Sequence, residues 1–380
     1  PFMKSFFVAL FVFLGFTRAL SQEQNSVITT AVPFLNIASD ARSSGMGDVG
    51  VATAPDAFSM QWNASKYVFS VANSGIGLGY TPYLESIISD IALLSGYYFK
   101  KPTDRSAFSI GLRYFTLGDI ELRQFASDPG MITKPNEIAV DGSYALKLSP
   151  RMSMGVAGRF IRSDLKFPQE ASIDSRAANS FSVDVSAYYQ GDFKSFPAFD
   201  GRWRWGLNIS NLGPKIAYDA NGQEDFLPSN LGLGIGYDFA YSPNSVLALS
   251  IDLNKYLVPM PQDYNEDGVL DSADLAEFQQ IDFVSGILDS FSDAPGGFSD
   301  ELKEWRLGLG LEYTLRKIFM LRTGYFTESK FTGSRRFFTL GSGVTIKSFQ
   351  IDLSYLFSIS QIRNPLENTL RFSFSFNSPN

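Results

Sequence analysis

Apolar side chains recur at every second position in segment after segment of this chain. Residues 305–313 read Trp-Arg-Leu-Gly-Leu-Gly-Leu-Glu-Tyr, and residues 231–239 read Leu-Gly-Leu-Gly-Ile-Gly-Tyr-Asp-Phe. Because successive side chains of a β-strand point to opposite faces, each such segment has one apolar face and one polar or small face. The alternation therefore favours β-strands over helices as the main element of the fold.

Fourteen segments of this kind can be counted along the chain. They lie near residues 75–80, 91–100, 107–119, 137–148, 152–164, 180–193, 202–212, 230–241, 245–256, 304–315, 318–328, 336–346, 349–359 and 368–376. Most are about ten residues long, which suits a strand that crosses a bilayer, whereas strands of soluble β-proteins are usually about 5–6 residues long. Aromatic residues near the ends of several segments fit the interfacial girdles of a barrel. The sequence predicts an all-β fold, a transmembrane antiparallel β-barrel of 14 strands formed by residues 75–380.

The connections between these segments alternate between tight turns and long polar loops. The tight turns are Ser149–Arg151, Ser242–Asn244, Arg316–Lys317 and Lys347–Ser348, and the long loops are residues 120–136, 165–179, 213–229 and 257–303. Outer-membrane barrels have short turns on the periplasmic side and long loops outside. We therefore expect an outer-membrane location, with residues 257–303 as the longest external loop.

The composition excludes several kinds of chemistry. The chain contains no histidine and no cysteine, so it has no Ser-His-Asp triad, no thiolate nucleophile and no imidazole or thiolate metal ligand. Barrel phospholipases and esterases rely on histidine, and no nucleophile with a matching base can be named, so we expect no enzymatic activity. The net charge of −7 argues against nucleic acid as a partner.

The first 21 residues have the composition of a secretory signal peptide. Lys4 is followed by an apolar run over Phe6–Phe16, and Ala19 and Ser21 offer small residues at the −3 and −1 positions of a cleavage site. The run is too short to span a bilayer. The sequence predicts export of a mature chain that begins near Gln22.

Residues 22–74 do not follow the strand pattern. This glycine-rich segment of mixed polarity is expected to form an N-terminal plug, or hatch, inside the barrel. Gly45–Gly50 matches G-x-G-x-x-G, but the strand and helix that a dinucleotide site needs around it are missing, so we interpret these glycines as tight turns. Charges on the polar strand faces either line a path or pair with the plug and with one another. They are Arg113, Asp184, Asp252, Arg306, Glu312 and Asp352.

A twelve-residue stretch of the longest loop has the spacing of a calcium-binding loop. Its candidate ligands are Asp263, Asn265, Asp267, Asp271, Asp274 and the backbone carbonyl of Val269. Alternate oxygen donors can wrap Ca²⁺, Gly268 permits a sharp turn, and residues 273–280 read as the short helix that follows. Asp274 occupies the position at which an EF-hand has a bidentate Glu. A loop with Asp at this position is nearer to the dockerin type of calcium loop. The alternative is a solvated acidic loop without an ion.

The same loop carries several apolar residues that could meet a partner. They are Phe283, Ile287, Leu288, Phe291 and Phe298. Packing of the loop on itself is the alternative for these side chains.

Blocks of sequence distributed along the chain resemble the PorV family, also called LptO. They are Pro33–Arg42, Gly45–Thr53, Pro55–Ser59, Ser89–Ile91, Gly96–Tyr98, Arg113–Ile120, Arg159–Leu165, Gly206–Gly213, Asp252–Lys255, Leu257–Pro259, Ser290–Phe298 and Asn364–Phe372. One departure is Trp62–Ser65, which reads Trp-Asn-Ala-Ser where the family usually has Trp-Asn-Pro-Ala. The blocks cover nearly the whole mature chain in order.

The resemblance implies a FadL-like barrel with an N-terminal plug, belonging to the type IX secretion system. PorV-like proteins take cargo bearing a C-terminal signal domain from the SprA/Sov translocon and deliver it to the attachment complex that contains the sortase PorU. The implied partners are that translocon, the PorU complex, the signal domains of cargo and outer-membrane lipid. A FadL-type transporter of hydrophobic small molecules shares the architecture and is the alternative function.

Overall fold

The structure is a computed structural model that describes residues 27–378 except 86–87, 89, 124–129, 166–176, 219–223, 266, 268, 295 and 361–363. The expected signal peptide, residues 1–21, lies outside the described residues.

Fourteen long antiparallel strands form the body of the molecule. They are β1 Ser74–Pro82, β2 Ala92–Thr103, β3 Ser106–Thr116, β4 Asn136–Ser149, β5 Met152–Asp164, β6 Ala178–Gln190, β7 Asp200–Leu212, β8 Asn230–Ser242, β9 Ser245–Tyr256, β10 Arg306–Leu315, β11 Phe319–Thr327, β12 Arg336–Ile346, β13 Phe349–Ser358 and β14 Leu370–Asn377. Each strand pairs with its neighbour in sequence, and β14 pairs with β1 in the register Gly75 to Asn377 and Tyr80 to Phe372. The ring closes, which confirms the predicted 14-stranded barrel.

The strand faces follow the period of two. In β11 the side chains of Phe319 and Leu321 are 51% and 63% exposed, whereas Met320 and Arg322, which alternate with them, are buried. Exposed apolar residues of this kind recur around the ring, and in water so large an apolar surface would be unfavourable. The outer face of the barrel is therefore the face that contacts lipid.

Short turns and long loops lie at opposite ends of the barrel. Arg316, Lys317 and Lys347 adopt left-handed backbone conformations in the predicted turns. The longest loop joins β9 to β10, so it covers residues 257–305, and it contains three of the five helices given below. Two short strand pairs, Ile120–Leu122 with Met131–Thr133 and Ile216–Ala217 with Glu224–Asp225, lie in other long loops, and Lys194–Ser195 pairs with β7.

The helices are short. They are α1 Ala41–Ser44, α2 Ser59–Trp62, α3 Ser272–Phe278, α4 Phe283–Asp289 and α5 Phe298–Glu301, with 3₁₀ turns at Pro33–Asn36, Ala64–Phe69 and Leu302–Glu304. The predicted helix after the acidic stretch of the long loop is α3. In the described part of the chain, no helix combines the length and the apolar character that crossing a membrane requires.

The N-terminal segment, residues 27–73, packs against the inward faces of the strands. Its first part contributes Phe34 and Leu35 to a buried cluster with Leu93, Phe115 and Ile161 of the wall. Its second part forms another cluster, in which Phe58, Met60 and Tyr67 meet Tyr97 and Phe99 of β2. Both of these apolar cores are therefore shared between this segment and the barrel.

Candidate functional site: the lumen and the long external loop

Glycines allow the N-terminal segment to approach the barrel wall closely. Gly47 has a φ of 73°, and a Cβ there would lie 2.8 Å from the backbone nitrogen of Tyr325. A Cβ on Gly324 of β11 would lie 2.0 Å from the carbonyl carbon of Met46. The Gly45–Gly50 motif thus follows α1 as a tight turn against the wall, as the sequence predicted.

An arginine of the N-terminal segment joins a chain of buried ion pairs. Arg42 Nη2 lies 2.8 Å from Glu312 Oε1, and Arg42 Nη1 lies 2.7 Å from Asp56 Oδ2. Arg322 Nε lies 2.6 Å from Glu312 Oε2, and its Nη1 lies 2.7 Å from Asp352 Oδ1. Glu312 therefore accepts from two guanidinium groups, one on the segment and one on the wall.

A second group of charges lies on the opposite wall. Arg159 pairs with Asp141 and, at 2.8 Å, with Asp184. Arg113 Nη1 donates to the Leu35 carbonyl at 3.0 Å, so the wall also holds the first part of the segment. Buried charges are tolerated when they are paired in this way.

Backbone groups of the segment are held by wall carboxylates too. Asp252 Oδ2 accepts from the N–H groups of Gly50 and Val51 at 2.7 and 2.9 Å. Arg306 donates to Asn230 and stacks over the ring of Tyr256 at 3.8 Å. Five of the six charged residues singled out from the sequence thus contact the segment or pair with other charges of the wall, as the pairing alternative predicted, whereas Arg306 contacts only neutral groups.

A cavity of about 610 Å³ opens at the loop end of the barrel. It is lined mostly by apolar residues, among them Phe34, Tyr83, Phe115 and Leu366, with the carboxylate of Glu137 at one side. A separate cavity of about 540 Å³ lies at the turn end, where Arg42 and Asp56 line it together with wall residues. The N-terminal segment contributes residues to both cavities and lies between them.

The predicted calcium loop folds around its own backbone. The N–H of Asp267 donates to Asp263 Oδ1 at 3.2 Å and to Asn265 Oδ1 at 2.9 Å, and the N–H of Val269 donates to Asp267 Oδ1 at 2.8 Å. Two of the predicted ligands, Asp263 and Asn265, thus accept from the same N–H group, and a third, Asp267, accepts from the next but one. Gly268, which was expected to permit the sharp turn, lies outside the described residues.

Asp274 closes this loop from the other side. Its Oδ2 accepts from the Asp271 N–H at 3.0 Å and its Oδ1 from the Tyr264 N–H at 2.8 Å. These backbone hydrogen bonds hold the pKa of Asp274 below its usual range. Asp271 in turn caps α3 by accepting from the Ala273 N–H at 2.7 Å. Calcium binding by this loop stays a prediction.

A second acidic cluster was missed at the level of sequence. One carboxylate oxygen of each of Asp293, Glu301 and Glu304 lies within 4.8 Å of the others, which is close enough to hold a metal ion. Lys255 Nζ contacts Glu301 Oε2 at 3.2 Å and also contacts Glu304. Burial raises the pKa of Asp293 to about 6 and that of Glu304 to about 7. The only local signal was the spacing of Glu301 and Glu304.

Apolar side chains of the same loop reach solvent. Phe298 is 78% exposed and Leu288 is 67% exposed, and Phe291 is also exposed. The other two apolar residues that were expected to reach a partner are half-buried; they are Phe283 and Ile287. We call Leu288, Phe291 and Phe298 the exposed loop surface.

Several solved channels share the architecture. "TodX deltaS2S3 mutant monoaromatic hydrocarbon channel" is 11% identical, with 90% of this chain and 99% of that chain covered and a TM-score of 0.51. "CymD monoaromatic hydrocarbon channel" is 11% identical, with 91% and 99% covered and a TM-score of 0.50. The toluene transporter TbuX of Ralstonia pickettii is 12% identical, with 90% and 99% covered and a TM-score of 0.49. At such identities the likeness shows the fold alone.

No curated protein matches the sequence. Residues 20–263 match the family described as "Type IX secretion system protein PorV". Because this match covers more than half of the chain, the protein belongs to the PorV family, a non-enzymatic family of outer-membrane barrels in the type IX secretion system.

Proposed function

We propose that this protein receives cargo with a C-terminal signal domain from the SprA/Sov translocon and passes it to the attachment complex that contains PorU. Membership of the PorV family gives the system in which the protein works. The observation that carries the proposal is the exposed loop surface, which presents large apolar side chains on the loop side of the barrel. The protein acts as a binding and carrying subunit and performs no covalent step.

The packing of the N-terminal segment against the inner wall supports binding at the surface over passage through the barrel. The N-terminal segment is held by ion pairs from Arg42 to Glu312 and by the contact of Arg113 with the Leu35 carbonyl. It also shares two apolar cores with the wall. We therefore propose that residues 27–73 act as the plug, and that cargo is held outside it.

The exposed loop surface has the chemistry of a protein contact. Each buried square ångström of apolar surface contributes roughly 25 cal/mol, so phenylalanine and leucine side chains in water favour a partner that covers them. Exposed apolar patches rimmed by polar residues commonly mark interaction sites. In the sequence, acidic residues lie beside these side chains, since Asp289 follows Leu288 and Asp300 lies two residues after Phe298.

The test is a double variant, Leu288→Ser with Phe298→Ser, introduced at the native locus. We expect normal amounts of barrel in the outer membrane, but cargo retained in the periplasm and less of the very large translocon barrel co-isolated in mild detergent. Ile132→Ser is the matched control, because Ile132 is 62% exposed and lies in another long loop. Unchanged secretion and co-isolation in the double variant would refute the proposal.

The external cavity favours one alternative, a FadL-type transporter of hydrophobic small molecules. The cavity has a volume of about 610 Å³ and a mostly apolar lining, which suits a hydrophobic ligand. Two solved barrels of the same fold are monoaromatic hydrocarbon channels. Mass spectrometry of the barrel purified from native membranes separates the two functions. Bound hydrophobic ligand without a protein partner supports transport, whereas co-isolated translocon or cargo supports the carrier. Deleting the gene should strand cargo in the periplasm and leave lipid uptake unchanged.

A further inference from the structure

The acidic cluster of Asp293, Glu301 and Glu304 lies where the two ends of the long loop meet. Asp293 follows α4, Glu301 ends α5, and Glu304 lies in the 3₁₀ turn immediately before β10. Asp293 Oδ2 accepts from the N–H of Met260, which lies near the start of the loop. The cluster therefore connects residues that are distant in sequence at the base of the loop.

Hydrogen bonds occupy only part of these carboxylates. Glu301 Oε1 accepts from the Ala294 N–H at 2.9 Å, and Lys255 contacts the Oε2 atoms of Glu301 and Glu304. Asp293 Oδ1 and Glu304 Oε1 are buried, and neither has a hydrogen-bond donor among the residues that the structure describes. The Glu304 side chain is only 1% exposed. A buried acceptor without a donor is costly, so these two oxygens call for a ligand.

The charges point to a cation as that ligand. When all three carboxylates are ionised, they and the ammonium group of Lys255 sum to −3 + 1 = −2, and Lys255 is itself 1% exposed. Burying uncompensated charge is unfavourable, and the raised pKa values of Asp293 and Glu304 reflect the same desolvation. One divalent cation would bring the sum to zero.

The spacing also fits a single ion. Calcium binds oxygen at about 2.3–2.6 Å, so two oxygens on the same ion are at most about 5 Å apart. The carboxylate oxygens here lie within 4.8 Å of one another. The donor set contains only oxygen, which hard cations prefer.

We propose that Asp293, Glu301 and Glu304 bind one divalent cation of the calcium class, with water completing its coordination, at the base of the long external loop. The ion joins the segment before α5, α5 itself and the start of β10. It fixes the loop that carries the exposed loop surface relative to the barrel mouth. This inference does not depend on the carrier function.

Calorimetry with CaCl₂ on the mature barrel in detergent tests the site. The Asp267→Ala chain serves as the background, because it disables the separate predicted calcium loop at residues 263–274. We expect that background to bind one equivalent of Ca²⁺, and the added change Glu304→Gln to weaken the binding at least tenfold. Asp300→Asn is the matched control: it removes a neighbouring negative charge that pairs with Lys303 and should change the affinity less than twofold.

A protease measurement covers the case in which Glu304→Gln fails to fold. Loop 257–303 of the Asp267→Ala chain should be cleaved at least five times more slowly with Ca²⁺ than with a chelator. Two results overturn the proposal. One is no bound Ca²⁺ and no protection in the Asp267→Ala chain at about 1 mM, a concentration at which extracellular calcium modules are occupied. The other is binding that Glu304→Gln leaves unchanged, since the ion would then lie elsewhere.

Discussion

The lumen and the long external loop differ in the groups that contact their buried carboxylates. In the lumen Glu312 meets both Arg42 and Arg322, and Asp252 meets two backbone N–H groups. At the base of the loop three carboxylates share one lysine, and two buried oxygens have no donor among the described residues. In the lumen the carboxylates are matched by arginines, although Asp252 Oδ1 there also lacks a donor among the described residues, whereas at the base of the loop a single lysine contacts the acidic cluster.

The two regions differ in apolar surface as well. Apolar residues of the N-terminal segment, such as Phe34 and Phe58, are buried against the wall, whereas Leu288 and Phe298 of the loop face solvent. Buried apolar residues are what a segment needs if it is to stay in the lumen. Exposed apolar residues are what a region needs if it is to contact a partner. The difference teaches that the apolar residues of the N-terminal segment contribute to the core of the barrel, whereas these loop residues are left free to contact a partner.

The largest effect is expected from breaking the ion pairs of the lumen. Glu312→Gln leaves Arg42 and Arg322 buried without their shared carboxylate, and removing one partner of a buried pair costs about 3–5 kcal/mol. We expect a clear fall in the temperature at which the barrel unfolds in detergent, measured by the shift in gel migration on heating. It should be accompanied by protease cleavage within residues 27–73.

Glu121→Gln is the control for this change. Glu121 pairs with Arg123 at 2.7 Å, but both side chains are nearly half exposed. Exposed pairs contribute about 0–1 kcal/mol, so the unfolding temperature should stay close to that of the wild type. Equal effects of the two substitutions would show that the ion pairs of the lumen do not hold the N-terminal segment in place.

A smaller effect is expected from adding one methyl group between the N-terminal segment and the wall. The Cβ of Gly324→Ala would meet the Met46 backbone at 2.0 Å, and overpacking typically costs about 1–3 kcal/mol. The unfolding temperature should fall by less than in Glu312→Gln. Gly158→Ala has open space around its Cβ and should have no such effect. A Gly324→Ala barrel as stable as Gly158→Ala would mean that the segment does not contact β11 closely.

Much of the lumen could be predicted from the sequence because its information is local. A period of two over about ten residues marks a strand and assigns each side chain to one of two faces. The charges on the inner faces were therefore identified, as were the tight turns. Their partners were not, because Arg42 and Glu312 meet only once the ring has closed, 270 positions apart.

Less of the long external loop could be predicted from the sequence. The spacing within residues 263–274 could be noticed because a calcium loop is continuous in sequence. The folding of the whole loop is what brings together Lys255, Asp293 and Glu304, and no spacing in the sequence indicates that they meet. Which apolar residues face solvent was equally open, since Phe283 and Leu288 of the same short helix differ in exposure.

The exposed loop surface should be dispensable for the stability of the barrel. Surface substitutions usually change stability by no more than about 0.5 kcal/mol. The double variant Leu288→Ser with Phe298→Ser should therefore unfold at the wild-type temperature while secretion of cargo is lost. Unfolding of that variant at a clearly lower temperature would mean that these side chains belong to a core, and the contrast with the lumen would fail.

The smallest effect on the barrel is expected at the predicted calcium loop. Asp267 supplies a side chain oxygen between Asp263 and Val269, so Asp267→Ala should remove one equivalent of bound Ca²⁺ in calorimetry. Without Ca²⁺ the variant and the wild type should unfold at the same temperature, because Asp267 is exposed and belongs to none of the apolar clusters of the described residues. Glu277→Gln is the control, since it removes an acidic charge from α3 and leaves the six predicted ligands in place. Absence of heat in the wild type at about 1 mM Ca²⁺ would leave the acidic stretch as a solvated loop. The stability of the barrel and its N-terminal segment would be unaffected, because Glu312 and Asp352 are paired with arginines there.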